Sequence, residues 1–219
     1  GTAATVGHGL GKAPKFILFK RLTGGTRNWA GFHASDHSDG KKSIILNSTS
    51  AGDVSNYFDG QIPTSSVFRV RTETEVNTST ESHLAYCWTD INGYSKFSAY
   101  VGNGDDEGPY VYCGFKPRMF FIKNVSGTSG WTVIDSEVYP FNNYHGPERA
   151  EWQSGTAAVS GGTADRECDI LANGFRIRTN NSNVNTNGST YVWGAWAEIP
   201  YKFNNTHPVS YTHLRAHET

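Results

Sequence analysis

Apolar and polar residues alternate with a period of two in short runs along the whole chain. In Phe68-Arg69-Val70-Arg71 the apolar pair points one way and the arginines the other, and Phe175-Arg176-Ile177-Arg178 repeats the pattern. Such alternation marks half-buried β-strands. It predicts strands near 3–9, 15–22, 28–34, 42–47, 66–72, 82–91 and 94–102, then 108–114, 119–125, 130–137, 167–172, 174–179 and 190–199. Turn formers separate them, as in TGG at 23–25, NG at 92–93, SGTSG at 126–130 and NTNG at 185–188. No stretch sustains a helical period.

The pattern also repeats at long range. Pro14 and Pro117 stand 103 positions apart, as do Lys20 and Lys123, while Trp29 and Trp131 are offset by 102 and Phe68 and Phe175 by 107. The run LAYCWTDINGYSKF ends at Phe97 and VWGAWAEIPYKF ends at Phe203, an offset of 106. Five matches in order, with gaps confined to loops, imply a tandem duplication. The expected fold is all-β, with two tandem, internally duplicated antiparallel β-sandwich lobes of jelly-roll type. The first repeat spans 1–103 and the second 104–205. The strand-like KFSAYVGN preceding Gly104 has no counterpart before Gly1, so the first repeat lacks its first strand: either the fragment is cut from a longer array, or the second copy borrows a strand whose partner lies upstream.

Composition narrows the function. The formal net charge is −1, so no basic field exists to hold nucleic acid or an anionic membrane. No apolar run is long enough for a membrane span. Three cysteines, Cys87, Cys113 and Cys168, cannot all pair within one chain and show no C-x-x-C spacing, so buried thiols are expected. The tail 206–219 falls outside the pattern. Val209–Thr219 resembles a translated sequencing adapter and is set aside, which with Gly1 leads us to expect a metagenomic fragment.

The stretches VGHGLGKAPKFILFK at 6–20 and YSKFSAYVGNGDDEGPYVYCGFKPRMFFIK at 94–123 resemble a repeat module of tail-fibre and other virion-structural proteins of tailed bacteriophages, particularly marine ones. That resemblance implies an extracellular appendage of the virion. The implied partners are other virion proteins and a host-surface glycan or protein, with a homo-oligomer as the usual fibre arrangement. It supplies no catalytic motif and implies no cofactor.

Candidate chemistry is thin. HASDHSD holds His33, Asp36, His37 and Asp39, donors that could converge on a metal, although a solvated loop is the plainer reading. Asp105, Asp106 and Glu107 in GNGDDEG could bind calcium or simply hydrate a turn. Asp90 and Glu198 could form a glycosidase pair, yet they occupy matching positions in the two copies, and a catalytic pair has unequal roles. No G-x-S-x-G elbow and no Walker spacing occurs. A non-enzymatic module is therefore expected.

Features present in only one copy are freer to recognise a ligand. The largest is the insert at 138–165, with Tyr139, Phe141, Asn143, Tyr144, His145, Arg149 and Trp152. Its aromatic faces and directional polar groups suit a glycan or protein contact, although an Ω-like loop packing its own aromatics is the plainer reading. A smaller insert at 56–66 brings Tyr57, Phe58 and Asp59. The arginine pairs 69/71 and 176/178 could line a subunit contact, although a solvated strand face is the plainer reading. The leading expectation is a tail-fibre-like module that adsorbs to a host surface. The alternatives are a lectin-like carbohydrate-binding module of a secreted bacterial protein and a tail-associated glycoside-cleaving enzyme.

Overall fold

The structure, a computed structural model, describes residues 2–36, 42–52, 57–138, 142 and 168–198, and the backbone of 150–152. The first half holds β1 (Ala4–Gly7), β2 (Phe16–Arg21), β3 (Ala30–His33), β4 (Ile44–Ile45), β5 (Val67–Val70) and β6 (His83–Trp88), followed by β7 (Ser95–Val101). The second holds β8 (Tyr110–Tyr112), β9 (Pro117–Asn124), β10 (Trp131–Asp135), β11 (Ala150–Trp152), β12 (Cys168–Leu171), β13 (Gly174–Ile177), α1 (Ser182–Asn185) and β14 (Thr190–Ala197). The short α1 is capped by the Asn181 side chain, which accepts from the Asn183 N–H. One turn of helix carries no periodicity for a sequence to show.

Four antiparallel sheets stack with three cores between them. Their strand orders are β1-β5, β4-β3-β2-β6, β11-β10-β9-β14-β7 and β12-β13-β8. The first core, around Ile17, Phe19, Phe32, Phe58 and Phe68, fills the first sandwich. The last, around Phe120, Ile122, Phe175, Tyr191 and Trp193, fills the second. Between them Phe16, Leu18, Ile44, Phe97, Phe121, Trp131 and Val192 join the two sandwiches back to back. The middle sheets are thus covered on both faces, which explains the unbroken apolar runs FILF and MFFI.

The duplication holds at the level of register. Phe16 lies opposite Trp88 and His33, and Met119 lies opposite Trp196 and Asp135. Phe68 pairs with Val6 as Phe175 pairs with Val111. Even a side chain to backbone tie recurs. Lys20 donates to the carbonyl of Arg27, and Lys123 to that of Ser129.

One difference between the copies lies in β7. It lies before residue 104 yet pairs with β14 along its whole length, from Thr190↔Val101 to Trp196↔Ser95, so the second sandwich begins in sequence assigned to the first. Gly194 makes the seat, since a Cβ there would come within 2.6 Å of ring atoms of both Phe97 and Phe121.

Candidate functional site

The site follows from comparing the two interiors residue by residue. In the second sandwich Trp193 is fully buried, and Tyr100 of β7 stacks on Tyr191 with ring centroids 5.1 Å apart while donating to the Val184 carbonyl at 2.6 Å. With Trp88 matched to Trp196, the first copy has Ala85 where the second has Trp193, and His83 where it has Tyr191. Nothing among the described residues stands in for Tyr100. A groove of about 470 Å³ results, lined by His8, Phe19, Phe68, Val70, His83, Ala85 and Cys87 among others.

The groove combines an apolar floor with ring faces. His8 lies nearly parallel to Phe68, at 6.4 Å between centroids and 15° between planes, and Phe19 meets Phe68 edge-on at 5.3 Å. Hydrogen bonds set both imidazoles. His8 Nε2 donates to the Thr64 carbonyl at 3.1 Å, and its Nδ1 accepts from the Leu10 N–H at 3.2 Å. His83 Nδ1 donates to the Glu81 carbonyl at 3.2 Å, and its Nε2 accepts from the Thr78 N–H at 3.4 Å. With ring nitrogens so engaged, the rings offer their faces. Asn77 belongs to the scaffold, because its donation to the Thr2 carbonyl mirrors that of Asn185 to the Asp105 carbonyl. Burial pushes the Cys87 thiol up to about 11, so at neutral pH it is an uncharged wall rather than a nucleophile.

Residues 1–200 match a family described as a domain of unknown function, DUF7483. The chain belongs to that family. No curated protein and no solved structure matches it. The DUF7483 match contains both sandwiches and the groove.

The structure relocates several residues singled out from the sequence. Tyr57 and Phe58 are core and not contact surface, with Phe58 fully buried and its ring 5.1 Å from Phe32 and 5.7 Å from Phe19. Within the 56–66 insert these two aromatics turn inward and join the core of the first sandwich, while Ile62 stays exposed. Asp59 is occupied by an ion pair to Arg69 at 3.0 Å. His33 is withdrawn from any surface metal site, since it is wholly buried and its Nε2 donates to the Trp193 carbonyl at 3.0 Å. Its companions His37 and Asp39 lie outside the described residues, and Asp36 pairs with Lys42 at 3.2 Å.

The GNGDDEG acids are engaged as well. Asp105 accepts from the Glu107 N–H, Asp106 from the Asn180 N–H, and Glu107 pairs with Arg176 at 2.6 Å and Arg178 at 2.9 Å. These pairs also take up Arg69, Arg176 and Arg178, which had been candidates for a subunit contact. Asp90 accepts from the Phe97 N–H, and Glu198 pairs with Lys116 at 2.8 Å. Among the described residues no three His, Cys, Asp or Glu side chains gather to hold a metal.

Tyr139, Phe141, Asn143, Tyr144, His145 and Arg149 lie outside the described residues, as does the Trp152 side chain, although the Trp152 backbone pairs with Trp131 in β11. Sequence reasoning missed His8, His83 and Ala85. The signal was available in the alignment of the two halves, where a Trp-to-Ala difference inside otherwise matched strands marks lost volume.

Proposed function

We propose that this DUF7483 chain is a non-catalytic recognition module of a virion appendage, and that the first sandwich's groove takes a sugar ring of a host-surface glycan. One observation carries the binding reading: a duplicated core is filled by Trp193, Tyr191 and Tyr100 in one copy and left open beside Ala85 and His83 in the other. Filling such a space would stabilise the fold at little cost, so its persistence in one copy favours a use for it. Its lining suits a carbohydrate, whose C–H face stacks on flat rings such as His8 and Phe68. The virion setting is supported by the resemblance of 6–20 and 94–123 to tail-fibre repeats.

The test restores the second copy's residue. Ala85→Trp should lower binding to an array of bacterial surface polysaccharides by at least ~10-fold while leaving the melting temperature unchanged or higher. Unchanged binding removes the groove. If binding instead falls only in Tyr144→Ala and Trp152→Ala, the 138–165 insert is the contact.

A further inference from the structure

A second apolar cavity, of about 420 Å³, opens between the two middle sheets, with Leu18, Trp88, Met119, Phe121, Trp131 and Trp196 among its walls. The duplication indicates its occupant. In the second copy Phe97 of β7 buries its ring 5.9 Å from Phe16 and 5.4 Å from Trp196. Exchanging each residue for its mate turns Phe16 into Met119 and Trp196 into Trp88, and both of these line the cavity. The mate of Phe97 is Phe203.

The backbone points to the same occupant. β14 is paired on both sides, by β9 and β7, whereas its counterpart β6 ends its sheet with one edge unpaired among the described residues. Along that edge Leu84 is 37% and Tyr86 44% exposed, unusual for apolar side chains on a sheet with two covered faces. The described chain reaches this place. Ala197 lines the cavity and its N–H donates to the Tyr94 carbonyl at 2.8 Å, while the Glu198 N–H donates to the Lys116 carbonyl. Trp88 and Trp196, at corresponding strand ends, are 6.2 Å apart. The three peptide steps from Glu198 to Tyr201 span up to about 10 Å, enough to turn from one sheet to the other.

We propose that this cavity and the β6 edge are the docking site of the chain's own segment Tyr201–Asn205, which adds to β6 as an antiparallel strand with Phe203 in the cavity. Each copy then completes the other's sheet, β7 passing from first to second and this segment from second to first. By the register of β7 on β14, Tyr201 lies opposite Trp88 and Phe203 opposite Tyr86. Tyr86 replaces Gly194 there, and Leu18 replaces the larger Phe121, which returns part of the room. Since Phe203 enters on the face of β6 opposite the glycan groove, this arrangement holds or fails independently of ligand binding.

Amide exchange on the full chain tests it. Residues 84–88 should be protected in the wild type, lose at least ~10-fold of that protection in Phe203→Ala and regain most of it in Phe203→Leu. Phe203→Ala should also lower the melting temperature by about 10 °C and shift emission from the tryptophans lining the cavity to the red. Fast exchange at 84–88 in the wild type, or protection indifferent to Phe203, overturns the proposal. So does protection that rises with protein concentration alongside a dimer in sedimentation, which would assign the edge to a second copy.

Discussion

His33 is the residue whose environment departs furthest from its apparent chemistry. Its imidazole is sealed between the two sandwiches, with Nε2 donating to Trp193 and Nδ1 accepting from the Ser35 N–H. Burial lowers its pKa to about 4 from 6.5, the bond to the Trp193 carbonyl opposing and the charge of Lys15 adding to the shift. The unfolded chain therefore binds a proton at His33 between these two values while the folded chain does not. Its contribution is complete above pH 6.5, erodes as pH falls, and is gone below about pH 4. His33→Gln should lose about 3 kcal/mol less than the wild type over that window, checked by urea unfolding at several pH values. An equal pH slope in both proteins would refute the role. HASDHSD advertised donors, but whether a donor faces water or a core depends on the sheet beyond it.

At the scale of elements, alternation and turn residues located most strands to within a few positions, because period two and Gly-rich turns are local properties. The exceptions are informative. The expected strand at 42–47 shrinks to Ile44–Ile45, whose ladder partners are Ala30 and Gly31, and Ala150–Trp152 pairs at the equivalent edge although no strand is expected there. Among the described residues both are outer strands with a single neighbour. The seat of β7 gives an element-scale prediction. Gly194→Ala would press a methyl group into the Phe97 and Phe121 rings, costing about 1–3 kcal/mol and lowering the melting temperature by about 5 °C. Tyr86→Ala at the matching position of β6 removes a side chain that is 44% exposed and should cost less. Calorimetry on the two variants compares the seats directly, and an equal loss from both would contradict the assigned difference.

For the whole molecule, the middle core decides cooperativity. Phe16 and Phe121, from opposite copies, approach to 4.9 Å between ring centroids, and Trp131 Nε1 donates across to the Ile45 carbonyl at 3.1 Å. Covalent crossing by β7 adds to this coupling. The two sandwiches should unfold together, in one calorimetric transition that Phe16→Ala shifts downward intact. Two resolved transitions, only one of them moved by Phe16→Ala, would show independent lobes.

The sequence by itself determined the β class, most of the strand sites and the duplication, since alternation, turn chemistry and matched spacing are written residue by residue. Tertiary structure alone decided that the copies share a core and that Tyr57 and Phe58 face inward. It also decided that β7 serves its neighbour, and that Ala85 opens a groove where Trp193 fills one. Each of these depends on what lies across from a residue, and a face is buried or open only once another sheet has, or has not, been laid against it.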